Sequence, residues 1–442
     1  MQTLSVDSDV TRKMNMKYLN YLTAVLLALV ISAQVNANCV RVNPVDQGCD
    51  ACGASLNLGN IGLMNVNYQP VGTVLARSVF RLVPAIRNSD PERVLYQCDL
   101  ADKDSIYEVF ATNGDSNVGG AWDMGDYHFQ TYFPFTALKL VHMRSGKPFT
   151  RIWQQVPLTE YEVSGNKILI KGKHFSPISA ELIRTGTNER KAAYASWGCP
   201  AAAADNYTGP YNCNQPNGYV VFKGPGMDVP EAGKDSYNHF DTWFTGRYMA
   251  FGMNISPVAT MTQNLSQGCR VDSYTSNVSF PAISPAALSQ GQSVSAPLSV
   301  TLECSSGASV ISGVGNGQIS LGFQASYPAW LQAQQLGLTS SDGTSDYLVS
   351  DHYNMDTTLA KGVGIQLNTE LGNKVSFLGW HDLINSSIGW RPVLEDAHQI
   401  NSNDKASRMY QRNFTARLTK LPGKDISAGR IDATAYLLVR LQ

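Results

Sequence analysis

The sequence predicts an all-β protein made of two β-sandwich domains. Short apolar runs rich in Val, Ile, Tyr and Phe are separated by Gly, Pro, Asn and Asp along most of the chain. Only 16% of residues are charged, while 37 Gly and 20 Pro provide many turns. No long amphipathic helix interrupts the runs. A length of 442 residues favours more than one domain.

The first 37 residues are predicted to be a signal peptide. Arg12, Lys13 and Lys17 precede an apolar run over 22–32, and the stretch 35–37 (VNA) has the small-residue form of a cleavage site. The run is shorter than the roughly 20 residues that span a bilayer. We therefore expect export and cleavage rather than anchoring. Two further methionines in this segment leave the true start open.

The composition and motifs argue against several function classes. The 34 basic and 35 acidic residues give a net charge of −1, so bulk charge attracts the protein neither to nucleic acid nor to acidic membranes. No HExxH, GxSxG or phosphate-binding loop is present. Four histidines of the first half lack metal-ligand spacing, so we expect neither a metal nor a cofactor: His128, His142, His174 and His239. A secreted β-sandwich glycan hydrolase stays an alternative, because paired carboxylates such as Asp123 and Asp126 suit that chemistry.

The cysteines also indicate an exported protein. All eight follow the predicted cleavage site, which suggests four disulfides. Cys199 and Cys213 bracket a Pro- and Asn-rich loop and are expected to pair. The pairing among the earlier cysteines stays open: Cys39, Cys49, Cys52 and Cys98. A redox or zinc role for the Cys49–Cys52 motif is disfavoured, because no second CxxC accompanies it.

The chain divides into two modules around a polar segment. Residues 38–254 are predicted to form the front sandwich domain. Residues 255–268 contain a proline and no charge, as expected of a linker. Residues 269–442 form the second domain, which opens with a strand at Cys269 and continues with clean alternation over Leu298–Cys304.

The last fourteen residues, 429–442, carry the strongest pattern. Small or apolar residues fall on every second position after Gly429: Ile431, Ala433, Ala435, Leu437, Val439 and Leu441. The other face carries polar residues, including Arg430, Asp432 and Arg440. Period two predicts a strand of about 40 Å. A strand that ends the chain needs a partner, because an open edge promotes aggregation.

Gly429 and the alternating strand after it resemble the C-terminal signature of chaperone–usher fimbrial subunits, although Leu441 replaces the family's usual penultimate Tyr. The resemblance implies that residues 269–442 form an incomplete immunoglobulin-like pilin domain, completed by a donor strand. It also implies a Cys269–Cys304 disulfide between the first two strands. The segment 413–418 and the closing strand resemble the last hairpin of pilin domains. A periodic row from Gly429 to Leu441 would then be the chaperone- and subunit-binding strand.

The order of the two modules resembles that of two-domain tip adhesins of chaperone–usher fimbriae. No alternating donor extension follows the predicted cleavage site, so the chain is expected to end a fibre. The resemblance implies four partners: a periplasmic pilus chaperone, an outer-membrane usher, an adjacent fimbrial subunit, and a host-surface glycan or glycoprotein. It implies passage through the periplasm to an extracellular position at the fimbrial tip. A purely structural fimbrial subunit stays an alternative.

A receptor site is expected in the front domain. Four residues follow Gly119 and Gly120 in a predicted loop and mix aromatic with polar side chains: Trp122, Asp123, Asp126 and Tyr127. Sugars pack an apolar ring face on an aromatic side chain while polar groups satisfy their hydroxyls. Similar mixtures occur at 207–211 and 237–244. The competing interpretation is that these aromatic residues belong to the core.

Overall fold

The computed structural model describes residues 38–43, 53–81, 90–186, 199, 207–241, 248–380, 387–400 and 406–442. The predicted signal peptide and the Cys49–Cys52 motif lie outside these ranges. The regular secondary structure of the described residues is mostly strand, which confirms the predicted all-β class. None of its helices is both long and apolar enough to cross a membrane.

Among the described residues, the front domain has four sheets around a main core, beside a smaller buried cluster that includes Trp153 and Tyr219. Its strands are short and follow one another closely along the chain: β1 (Val40–Arg41), β2 (Ala54–Ser55), β3 (Asn60–Met64), β4 (Val74–Phe80), β5 (Val94–Asp99), β6 (Tyr107–Thr112), β7 (Phe129–Gln130), β8 (Thr136–His142), β9 (Lys147–Pro148), β10 (Gln154–Pro157), β11 (Glu162–Ser164), β12 (Lys167–Lys171), β13 (Ile178–Arg184), β14 (Gly209–Pro210), β15 (Gly218–Lys223), β16 (Tyr248–Gly252) and β17 (Thr260–Asn264). Short 3₁₀ turns join some of them: Leu100–Ser105, Gly172–His174 and Ser236–Asp241.

The strand orders of the four sheets are β10-β6-β15-β16-β2, β4-β13-β8-β7 with β9 on β8, β1-β5-β12-β11, and β14-β17-β3. Apolar side chains from all four sheets meet in a single buried cluster, which includes Leu63, Phe110, Leu140 and Ile170. Their alternation with outward polar residues is clearest in β13, where every second side chain is buried.

The segment 255–268, which we expected to be a linker, contains the strand β17. This strand pairs in parallel with β3, from Thr260 opposite Asn60 to Asn264 opposite Met64. The side chain of Met261 joins the front-domain core. The uncharged polar residues of this segment therefore belong to a paired strand, because pairing with β3 overrides the low strand propensity of Asn.

The C-terminal domain is a two-sheet sandwich with nine described strands and two short helices. Its elements are β18 (Cys269–Tyr274), α1 (Pro285–Ser289), β19 (Val294–Ser305), β20 (Ile319–Ala325), α2 (Tyr327–Gln335), β21 (Val363–Thr369), β22 (Lys374–Val375), β23 (Arg391–Pro392), β24 (His398–Ile400), β25 (Ser407–Lys420) and β26 (Ala435–Leu441), with a 3₁₀ turn at Ala308–Val310. One sheet has the order β18-β19-β25-β21-β22 with β24 on β25, and the other has the order β23-β20-β26. Phe323 and Phe414 meet edge to face between them, with ring centroids 5.1 Å apart.

Three disulfides lie among the described residues. Cys39–Cys98 ties β1 to β5, Cys199–Cys213 closes a loop, and Cys269–Cys304 joins opposite positions of β18 and β19. The last pair occupies the place that the fimbrial resemblance implies for it.

The closing strand differs from the prediction in two ways. It begins at Ala435 rather than near Ile431, because residues before it bond to the segment 350–361 instead of to a sheet: Ala360 N donates to Arg430 O and Asp351 N donates to Asp432 O. It also forms no hairpin with β25, because β26 pairs with β20 while β25 pairs with β19 and β21 in the other sheet. The predicted last hairpin is therefore wrong.

The two domains pack directly on each other. Met64 and Val79 of the front domain are buried within the core cluster of the C-terminal domain. Gly62 of β3 abuts the backbone of Leu441, and a side chain there would overlap it. The end of β26 is thus enclosed by the front domain.

We predict that Gly429→Ala destabilises the C-terminal domain by about 1–3 kcal/mol through overpacking. A Cβ atom at Gly429 would collide with the backbone of Thr358, Leu359 and Ala360. Thermal or urea unfolding of the cleaved chain measures the loss. Gly423→Ala serves as the control, since that glycine (φ +64°) has open space around it and loses only about 1 kcal/mol for its left-handed backbone. Equal losses at the two positions would contradict the collision.

Candidate functional site

The first candidate site is a groove along the free edge of β26. Among the described strands, β26 pairs only with β20, so its other edge offers unpaired backbone groups. The alternation that the sequence predicts is visible in burial. Asp432, Thr434 and Tyr436 are exposed. Five residues of the other face are half-buried: Ile431, Ala433, Ala435, Leu437 and Val439.

The opposite wall of this groove is formed by the start of the C-terminal domain. Val271 of β18 and the half-buried side chains after it, including Phe280 and Ile283, line the same space as Leu437 and Val439. The cavity measures ≈ 1510 Å³. A long apolar groove between two strand edges fits an extended chain whose side chains alternate, because the edges supply backbone hydrogen bonds and the gaps between side chains supply pockets.

The front domain contributes a third wall to the groove. Its lining includes Tyr68 and the stretch 73–77, where β4 forms the edge of its own sheet. The Arg77 guanidinium lies over the ring of Tyr436, 5.5 Å from its centroid. A segment that enters the groove would therefore meet residues of both domains.

The second candidate site is the loop that carries the four residues predicted to bind a receptor. The loop is a tight turn closed by a bridge between Asp123 and Phe129. Gly125 N donates to Asp123 Oδ1 at 2.8 Å, and Met124 N donates to His128 O at 2.7 Å. Asp126 and Tyr127 both hold left-handed backbone, with φ of 50° and 59°. Two successive non-glycine residues in this region are uncommon, and such strain concentrates at functional loops.

The turn presents three of the four predicted residues at the surface. Asp123 and Asp126 are exposed, the Tyr127 side chain is 42% exposed, and Trp122 is half-buried. Lys139 of β8 donates to Asp126 Oδ2 at 2.9 Å and lies 5.9 Å from the Tyr127 ring centroid. This contact with Lys139 lowers the pKa of Asp126, so the carboxylate is ionised over the physiological range. An exposed aromatic ring beside fixed polar groups is the arrangement that a sugar needs.

Sequence reasoning missed the charged row beside this loop. Arg77, Glu181 and Lys139 stand opposite one another on β4, β13 and β8. Arg77 Nη2 lies 2.6 Å from Glu181 Oε2, and His128 Nε2 lies 3.7 Å from Glu181 Oε1. The latter distance exceeds a hydrogen bond, so the His128–Glu181 interaction is one of charge when the imidazole is protonated. Alternation in β13 could have placed Glu181 on an outer face, but no local signal gives the pairing of distant strands.

Two neighbouring side chains lower the pKa of Glu181 to about 2. The largest cause is the His128 imidazole, followed by the Arg77 guanidinium, and together they outweigh the burial that favours the neutral acid. The row thus links the Asp123–Phe129 turn, through His128, to Arg77 at the wall of the β26 groove.

The other aromatic and histidine candidates are mostly structural. His142 is buried against Glu108 (Nε2 to Oε2, 3.1 Å), and Tyr211 is buried in an aromatic cluster with Tyr132. His239 bonds to Tyr219. No group of three metal-ligating side chains occurs within the described ranges. Part of the stretch 237–244 lies outside those ranges.

The family comparison concerns the C-terminal part of the chain. Residues 253–442 match the family model "Fimbrial protein", which confirms the fimbrial resemblance of this part. No curated protein sequence matches the chain.

Solved structures that resemble the chain come from the same class. The P pilus rod subunit PapA is 16% identical over 39% of this chain and 92% of its own, with a TM-score of 0.23. The CupB6 tip adhesin from Pseudomonas aeruginosa is 12% identical over 90% of this chain and 96% of its own, with a TM-score of 0.22. The CsuC–CsuE chaperone–tip adhesion subunit pre-assembly complex of Acinetobacter baumannii is 10% identical over 91% and 100%, with a TM-score of 0.20. TM-scores this low do not establish a shared function.

We predict that the pH dependence of front-domain stability changes in Glu181→Gln. Folding holds the pKa of Glu181 at about 2, below its unfolded value of 4.5. The ionised carboxylate therefore stabilises the fold above pH 4.5, and this contribution is lost as the pH falls toward 2. Thermal unfolding from pH 7 to pH 2 should show a lower, flatter stability curve in the variant. The exposed Glu231→Gln is the control, and an unchanged curve in Glu181→Gln would refute the charged row.

Proposed function

We propose that this chain is a fimbrial tip adhesin. The front domain binds a surface receptor, which we propose is a glycan. The C-terminal domain joins the fimbria by taking up a donor strand. The observation that carries the proposal is the open β26 edge beside its apolar groove. The fimbrial family match over residues 253–442 supports it.

Strand uptake would complete the C-terminal sandwich. An incoming strand would pair with the free backbone groups of β26 and set alternate side chains over Leu437 and Val439. Apolar surface that is half-buried in the free domain would become fully buried, and this burial would stabilise the complex by roughly 25 cal/mol per Å². A pilus chaperone would supply such a strand in the periplasm, and an adjacent subunit would supply it in the fibre. Assembly would pass through an outer-membrane usher to an extracellular tip.

The strained turn of the front domain would bind the receptor. Tyr127 would pack against a sugar ring, while Asp123 and Asp126 would accept hydrogen bonds from hydroxyls and Trp122 would support the turn from beneath. Support comes from the exposure of these groups and from the Lys139 contact that holds Asp126 in place. No nucleic acid, metal or cofactor is required.

Two alternatives predict different behaviour. A structural fimbrial subunit would have the same groove but bind no receptor. A glycan hydrolase would turn over a sugar with Asp123 or Asp126 as a catalytic carboxylate, and Asp123→Asn would abolish that turnover. The charged contact that occupies Asp126 favours a binding role over general acid catalysis, because a proton donor needs a raised pKa, whereas that of Asp126 is lowered.

Strand uptake can be tested with residues 38–442 expressed alone and with an alternating apolar strand tethered after Gln442. We predict that the tethered strand raises periplasmic yield and the unfolding temperature of the C-terminal domain, because it completes the sheet. Leu437→Asp should remove the gain, while Leu371→Asp, at a position that is 74% exposed and lies outside the groove, should preserve it. A bare chain that is monomeric and equally stable would show that the fold is already complete.

Receptor binding can be tested by glycan screening of the tethered protein. We predict that Tyr127→Ala lowers binding at least about tenfold, in line with the loss of one stacked aromatic contact and its hydroxyl partners. Trp122→Ala should act in the same direction. The control is Tyr237→Ala, which removes a similarly exposed ring elsewhere on the front domain. Unfolding temperature is measured for each variant, and loss of binding without loss of folding supports the site.

A further inference from the structure

The outer face of β26 holds a buried guanidinium without a counter-ion. Arg440 is only 8% exposed, and its Nε has no hydrogen-bond partner. No carboxylate of the described chain forms an ion pair with it. Burial alone lowers the pKa of Arg440 to about 10, with no neighbouring charge acting against that effect. An unpaired buried charge is strongly destabilising, so a native protein rarely keeps one without a partner.

A second unsatisfied donor lies beside Arg440. The indole of Trp390 is 4% exposed and its Nε1 has no hydrogen-bond partner. The Arg440 guanidinium lies 5.8 Å from the centroid of this indole. Both side chains line the β26 groove. Two buried donors in one place, with no acceptor within the described ranges, form a site for an anionic oxygen.

The position of Arg440 on β26 specifies where that anion comes from. Arg440 pairs with Ser320 on β20, and its side chain points to the face opposite Leu437 and Val439. A strand bound to the free edge of β26 would place one outward side chain beside Arg440, because directly opposed residues on one face have Cβ atoms about 4.5–5.5 Å apart. That position alternates with the apolar residues that fill the groove.

We propose that Arg440, with Trp390, binds a side-chain carboxylate on the strand that enters the β26 groove. The incoming strand then carries an Asp or Glu at the outward position opposite Arg440, directly beyond the apolar residue that faces Val439. This inference rests on the proposed uptake of a strand. It adds that the site recognises one acidic residue and, through it, one register of the partner.

The carboxylate would satisfy both donors at once. A carboxylate has two oxygens and accepts from a guanidinium in a forked geometry, with capacity left for an indole N–H. Charge complementarity favours an acid over an amide, since Gln could bond to one donor but would leave the guanidinium uncompensated. A one-residue slip of the strand would turn the acid toward the apolar groove, so the pair penalises a wrong register.

The test uses residues 38–442 with a tethered strand whose outward positions are all Gln. Each outward Gln is replaced in turn by Glu, and the unfolding temperature is measured. We expect one position to raise it by about 3 °C or more, the shift that a charge-assisted pair gives in a domain of this size. Arg440→Gln should abolish that difference, Arg440→Lys should keep part of it, and Trp390→Phe should reduce it. Arg417→Gln, an exposed arginine on β25, should leave it intact.

The outcomes separate this inference from the proposed function. A strand that stabilises the protein with no difference between Glu and Gln overturns the carboxylate site and leaves strand uptake standing. A strand that stabilises nothing overturns both. A further contrary result is that sodium acetate raises the unfolding temperature of the all-Gln protein by the same amount, in a way that Arg440→Gln abolishes. That result would show a site for free anions and would overturn the strand-borne carboxylate. A single stabilising position that depends on Arg440 supports the proposal.

Discussion

The free edge of β26 is the constraint on which the rest of the structure depends. A sandwich buries its apolar face only when both sheets are complete, and here one sheet ends in a strand with a half-buried apolar row and an unpaired backbone. The fold compensates locally: the segment 350–361 holds the residues before β26, and the front domain encloses its end at Leu441. Only the middle of the strand, around Leu437 and Val439, stays open.

The enclosed end of β26 packs the two domains against each other. Met64 and Val79 extend the C-terminal core into the front domain, and β17 ties the intervening segment to β3. Arg77 then lies at the groove wall while its partner Glu181 belongs to the charged row beside the Asp123–Phe129 turn. Occupancy of the groove and the geometry of the loop therefore share a set of contacts, as coupling between two sites requires.

The sequence predicts the local features well and the distant pairings poorly. Period-two alternation from Ile431 to Leu437 reappears as alternating burial, because side-chain direction in an extended chain depends on the residue's own position. The start of β26 at Ala435, the parallel pairing of β17 and the row of Arg77, Glu181 and Lys139 were not predictable. Each depends on segments far apart in sequence, whose meeting is decided by tertiary packing rather than by local propensity. The exposed turn at Asp126 and Tyr127 was predictable from its composition, but its left-handed backbone was not.

Arg440 shows how such packing changes the meaning of a residue. In the sequence it is one more polar position on the outer face of an alternating strand, and alternation alone predicts that it is solvated. Trp390 covers that face and removes the guanidinium from water without giving it a counter-charge. In the proposed strand uptake, apolar pockets along the groove would accept any strand of similar volume and would supply affinity with little discrimination. A buried charge that tolerates only an acidic partner discriminates by penalising every strand that lacks one, which is how specificity is gained where shape alone gives little.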